Sequence, residues 1–274
     1  MKWFSILSFI FFISSCTIVR RIYTPLPVNN PSLKAKNDFS VSATYSEPNG
    51  LDINGGYAIS NRLAIIAGGY THKTGDIQHY WFNNVHDSSN LIYRDNGFTI
   101  GAGTYFPIAD SKNFFSGFAG LSTGDFKMTE DFYAISPNAS HFFYNYKSRL
   151  NRYFVQGSFN HYGGVLEISL NLKLNLVEYK NVTTDYSDNQ LQNYYLPPFD
   201  ARRINSFLDM GIDIKGYISQ NPRIGIHYFA VGTNRLNNEE LLVNGRGYYA
   251  YFGLRTGIGI IISKGSPKEK TNNH

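Results

Sequence analysis

The stretch Leu166-Glu167-Ile168-Ser169-Leu170-Asn171-Leu172-Lys173-Leu174-Asn175-Leu176 decides the fold. Leu166, Ile168, Leu170, Leu172, Leu174 and Leu176 alternate strictly with Glu167, Ser169, Asn171, Lys173 and Asn175. Successive side chains of an extended chain point to opposite faces, so this pattern predicts a strand over 163–178 with one apolar and one polar face. Strands of globular proteins usually run about 5–6 residues. This run is longer, and it fits the roughly 9–11 residues that a tilted strand needs to cross hydrocarbon.

The same period recurs on both sides. It predicts strands at 204–219, 250–262, 222–232 and 97–106, and weaker ones at 38–46, 51–59, 62–74, 113–126 and 146–160. Short turns are expected at Ser60-Asn61, at Ile108–Lys112, at His161–Gly163 and at Gln220-Asn221-Pro222. Long connections are expected at 75–96, 127–145, 179–203 and 233–248. Short and long connections alternate, as periplasmic turns and external loops do in bacterial outer-membrane barrels. The expected fold is therefore all-β: an antiparallel transmembrane β-barrel of about ten strands (8–12). Closure is a physical need, because an open sheet edge leaves unpaired backbone groups in lipid.

Composition agrees. Only 16% of the 274 residues are charged, against about 25% in a typical soluble domain. The 21 Tyr and 21 Phe exclude intrinsic disorder. One Cys excludes a disulfide scaffold and a multi-cysteine metal site. A net charge of +5 without a long Lys/Arg block gives no basis for nucleic-acid binding.

The N-terminus reads as an address. Met1-Lys2-Trp3 precedes the apolar run Phe4–Ile13, and then come Ser14-Ser15-Cys16. The run is too short for a transmembrane helix and fits a secretory signal. Ile13-Ser14-Ser15-Cys16 resembles the lipobox of bacterial lipoproteins: an aliphatic residue, two small ones and the lipidated cysteine. The resemblance implies cleavage after residue 15 and acylation of Cys16. Several acyl chains anchor stably where one is marginal. The expected organisation is a signal peptide at 1–15, a lipidated tether at 16–37, a barrel at 38–262 and a polar tail at 263–274. No acidic cluster follows Cys16, which favours a lipid in the periplasmic leaflet.

Face assignment puts Asp52, Glu167, Asp209 and Asp213 in the lumen with Arg152, Lys173, Lys215, Arg223 and Arg255. Unpaired buried charge is costly, so a paired, plugging network is expected rather than a wide pore. His72, His79 and His86 lie in or beside one expected loop, without the Cys or acidic partners of a zinc site. His141 and Asp131 suggest a hydrolase pair, but no Gly-x-Ser-x-Gly accompanies them. No Walker motif is present. No metal, cofactor or catalytic residue is therefore expected. The external loops carry the expected partner contacts at Trp81, Phe82, Phe132, Tyr133, Phe142, Tyr194, Tyr195 and Phe199, since exposed aromatics are common anchors of interfaces.

With its lipobox and its glycine-spotted strands, such as Gly97-Phe98-Thr99-Ile100-Gly101-Ala102-Gly103-Thr104-Tyr105-Phe106, the chain resembles small outer-membrane β-barrel proteins of Bacteroidota. A lipid anchor on an integral barrel departs from their usual pattern. The combination looks like a non-enzymatic accessory or scaffold subunit of an outer-membrane machine for secretion, barrel insertion or uptake. The implied partners are outer-membrane lipid and other outer-membrane proteins. A surface binder of ligand or glycan, or a small-solute transport barrel, is the alternative, and a membrane enzyme comes after both.

Overall fold

A computed structural model describes residues 22–47, 49–82, 85–108, 112–133, 141–193, 196, 204–220, 223–236 and 252–264. Ten antiparallel strands close into a barrel in which each pairs with its sequence neighbours and the first pairs with the last. They are β1 (Phe39–Glu47), β2 (Gly50–Ala58), β3 (Leu63–Phe82), β4 (Val85–Ile108), β5 (Asn113–Tyr133), β6 (His141–Tyr162), β7 (Leu166–Thr184), β8 (Ile204–Gln220), β9 (Arg223–Arg235) and β10 (Phe252–Ser263). Closure runs from Ser40 opposite Ser263 to Glu47 opposite Thr256. It leaves no free edge to desolvate.

Alternation is realised residue by residue. On β7, Leu172 is 51% exposed on the outer wall, while its neighbours Asn171 and Lys173 are 6% and 3% exposed inside. Ile212 and Ile214 on β8, Ile224 and Ile226 on β9, and Ile258 and Ile260 on β10 continue the outward apolar band. A wall that is apolar outside and polar inside, closed on itself, is the arrangement of an outer-membrane barrel. The fold expected from the sequence is the one observed.

The strand limits differ from expectation on the external side. The stretches 75–96 and 127–145, read as connections, are paired strand over most of their length. β3 runs to Phe82, β4 starts at Val85, β5 runs to Tyr133 and β6 starts at His141. The reason is a change in what the outer face meets. Above Phe98 and Leu121 the outward residues become Asn96, Arg94, Asp125 and Lys127, so the hydropathic period fades while the ladder continues. Inward there, Leu91, Tyr93, Phe126, Met128, Tyr146 and Leu150 pack into one buried cluster, and Asp95 and Glu130 are buried on the same face. The wall is therefore tall at β3–β6, whose strands have 20, 24, 21 and 22 residues, and low at β1 and β2, with 9 each.

After β7 comes a short helix, α1 (Asp188–Asn193). Ser187-Asp188-Asn189-Gln190 caps it: the Gln190 amide N–H donates to Ser187 Oγ at 3.4 Å, and the Ser187 N–H donates back to Gln190 Oε1 at 2.9 Å. The helix drops Leu191 onto the upper apolar cluster beside Leu196 and Tyr186.

Candidate functional site: a filled lumen and an aromatic rim

The expected periplasmic tether is, from Ile22 to Asn37, an internal segment. Ile22 and Tyr23 belong to the upper cluster with Leu91, Met128 and Phe207, and the Tyr179 hydroxyl donates to the Ile22 carbonyl at 2.7 Å. Leu33 sits near the other end with Ala58, Ala64, Ile66, Tyr105 and Phe118. Lys36 then takes Asn61 Oδ1 through its backbone N–H at 3.0 Å, at the β2–β3 turn. The chain thus descends through the lumen from the external half to the periplasmic mouth. It turns at Asn37, whose φ of 66° suits asparagine, and rises as β1.

An extended segment rich in proline and asparagine has few internal hydrogen bonds, so the wall supplies them. The Asn29 side-chain amide donates to the carbonyls of Gly55 and Ala67 at 3.0 and 2.9 Å. Gln156 donates to the Asn29 carbonyl at 2.8 Å, and Asn30 donates to Asn160 Oδ1 at 2.5 Å. Pro31 lies against Gly56 so closely that a Cβ there would come within 2.5 Å of the proline ring. This glycine is where the wall makes room for the segment.

The nine expected lumen charges all lie buried on the inner wall, and they fall into groups around the segment. Arg152 pairs with Asp95 at 2.6 Å and lies over the Tyr23 ring. The Tyr23 hydroxyl donates to Asp209 Oδ2 at 2.7 Å. Lys173 is the cross-strand neighbour of Asp209 and lies 4.6 Å from the Phe154 ring centroid. Arg255 binds Asp52 and Ser46 and donates to the Pro25 carbonyl at 3.1 Å. Lys215 binds Glu167 at 2.7 Å and the Asn30 carbonyl at 2.7 Å, and Ser32 donates to Glu167 at 2.8 Å. Asp213 accepts from Asn171 at 2.7 Å and lies 3.4 Å from His227 Nε2. Arg223 covers the Tyr162 ring near the periplasmic mouth, where Lys34 also lies over Tyr162.

Sequence reasoning did not count Asp95, His227 or His72, which it weighed only as a zinc ligand, among the lumen groups. His72 meets Asp52 at 3.1 Å. The parity of the expected strands 62–74 and 222–232 already marks His72 and His227 as inward, and Asp95 follows once β4 is extended below residue 97. It also missed every residue of the internal segment, which has no period to read.

The external rim brings together a pair singled out earlier. His141 Nε2 meets Asp131 Oδ1 on the outward face of the β5–β6 hairpin, and the Tyr133 hydroxyl donates to Asp131 Oδ2 at 2.8 Å. Tyr133 stacks on His141 at 4.4 Å, and Phe143 follows at 4.7 Å. Phe132 and Phe142 lie in register on the opposite face, with ring centroids 6.5 Å apart. The joining residues 134–140 lie outside the described residues, as do Cys16, Tyr194, Tyr195, Phe199 and the side chains of Trp81 and Phe82. Among the described residues no group of three His, Cys, Asp or Glu is placed to hold a metal ion.

No protein-family model matches the chain, and no curated protein does. Among solved structures it is similar to the Escherichia coli outer membrane protease OmpT. That match has 10% identity and a TM-score of 0.44, over 82% of this chain and 90% of that one. It is also similar to CarO of Acinetobacter baumannii, with 8% identity and a TM-score of 0.31, over 81% and 96%. The porin NanC follows with 8% identity and a TM-score of 0.25, over 81% and 98%.

Proposed function

We propose that this barrel is a non-conducting, non-enzymatic accessory or scaffold subunit of an outer-membrane protein complex, anchored additionally by a lipid on Cys16. The observation that carries the reading is the occupied lumen. Residues 22–37 fill the barrel and are tied to opposite walls by Arg255, Lys215, Gln156 and Tyr179. A barrel that spends its interior on its own chain has its outer wall and rim left for work on other molecules.

Two measurements test this. The intact protein in a planar bilayer is expected to stay electrically silent, and stable conductance steps would overturn the non-conducting part. Extraction of the native membrane in mild detergent is expected to yield the barrel with other outer-membrane proteins. A single-subunit species on native gels would sink the accessory role. A second reading, a surface binder, is favoured by the exposed Tyr133–His141–Phe143 ledge, since stacked aromatics suit a sugar or an apolar ligand. Glycan-array binding that is lost in Tyr133→Ala would select it.

A further inference from the structure

Four cations stand in one cross-strand row on the outer wall. Lys73 on β3 lies opposite Arg94 on β4, Arg94 opposite Lys127 on β5, and Lys127 opposite Lys147 on β6. All four point outward: Lys73, Arg94 and Lys147 are exposed and Lys127 is half-buried. Arg149 and Lys180, opposite each other one outward position below Lys147, widen the patch. Like charges directly opposite on neighbouring strands repel and destabilise a sheet.

The carboxylates on this face do not compensate. Asp125 lies one outward position below Lys127 and opposite Arg149. Glu178 is paired to Lys180 at 3.1 Å. Asp131, higher up, is engaged by His141 and Tyr133, and Asp185 accepts from Asn145. Among the described residues, no ion pair reaches Lys73, Arg94, Lys127 or Lys147.

The height of the row names the ligand. Below the row come outward polar residues, among them Asn96 on β4 and Asp125 on β5, and below these the wall turns apolar at Phe98, Leu121 and Tyr153, all exposed. At 3.3 Å per residue and 35–45° of tilt, the row lies about 10–15 Å above that edge. The backbone there stands above the headgroup layer, which is about 5–8 Å thick per leaflet, at the level of a glycolipid's first sugars, and the long basic side chains reach down toward its phosphates while their stems stay on the wall. The row faces sideways from the outer wall, above the lipid-facing band, rather than upward into solvent. A protein docking from above would meet the rim instead.

We propose that the Lys73–Arg94–Lys127–Lys147 row binds a phosphorylated glycolipid of the outer leaflet, whose phosphates sit between the opposed cations and relieve their repulsion. Charge-assisted contacts to phosphate oxygens are the strong members of their class, and each basic residue near an anionic surface adds to the attraction.

The test uses the full-length protein in nanodiscs containing bis-phosphorylated lipid A or the same lipid after enzymatic dephosphorylation. Lipid retained after detergent exchange is counted by native mass spectrometry. The phosphorylated form is expected to be retained in preference, and its retention to fall as salt rises. The triple variant Arg94→Gln/Lys127→Gln/Lys147→Gln is expected to lose at least about tenfold in retention. Its folding is checked by the gel mobility of unboiled protein. The double variant Arg62→Gln/Lys112→Gln, on the periplasmic side, is expected to retain lipid like the parent. Equal retention of dephosphorylated lipid, salt-independent retention, or full retention by the triple variant would overturn the site. Displacement by millimolar inorganic phosphate would reassign it to a free anion, and capture of an acidic protein in place of lipid would reassign it to a protein surface.

Discussion

Glu167 shows how one residue sets the state of the lumen. Its carboxylate accepts from Lys215 and from Ser32 of the internal segment, all of them buried. Such a pair adds little net stability over an apolar pair of the same volume, but removing one partner leaves a charge with no solvent. Glu167→Leu is therefore expected to destabilise the barrel by about 3–5 kcal/mol, read as a lower urea midpoint in detergent micelles. Glu167→Leu/Lys215→Met should recover most of that loss. If the double variant is as unstable as the single one, the pair is not what Glu167 contributes. Glu167 and Lys215 were legible in the sequence because parity alone assigns them inward. Their third partner, Ser32, was not, because nothing in Pro27-Val28-Asn29-Asn30-Pro31-Ser32 distinguishes a buried extended segment from a solvated linker. Only the wall that receives it makes the distinction.

At the level of the element, β7 and the tops of β5 and β6 make the contrast. β7 could be read directly because hydrocarbon on one side and a polar lumen on the other impose opposite demands at every second residue. From Lys127 upward on β5 the outer face meets water and headgroups, where Lys, Thr and Asp are as acceptable as any residue, so the pattern blurs although Tyr133 still pairs with His141. The strand there is held by backbone bonds and by its inner face. The β5–β6 hairpin thus stands clear of the membrane. In a Cys16→Ser background, Thr129→Cys is expected to react with a membrane-impermeant maleimide added to intact cells. Ser122→Cys, buried on the inner face of the same strand, should stay unlabelled. Labelling of position 122 at the same rate would mean that the inner face is open to solvent.

For the molecule as a whole, the wall and its filling are separable. The β1–β10 ladders close around the barrel without using the internal segment, while the segment supplies ligands to Arg255 and Lys215 that Asp52 and Glu167 also supply. Deleting residues 23–34 is therefore expected to leave a folded barrel with the same gel mobility shift on boiling. It should raise uptake of small sugars in liposome swelling by at least several-fold. Unchanged swelling in a folded deletion variant would show that the lumen is sealed by the wall's own side chains.

The direction of that internal segment also dictates an order of events. It is made before any strand of the barrel, and the last strand made, β10, is the one that pairs with β1. A segment that lies inside a ring which a later strand completes is either in place before the ring shuts or must be drawn in lengthwise afterwards. Residues on both walls grip the segment, with Gln156 on β6 and Arg255 on β10. The simpler route is that the growing sheet curls around it. In that route the segment ahead of β1 acts as a mandrel for the strands that follow, and the final hydrogen bonds of the barrel lock in place a decision taken before its first strand.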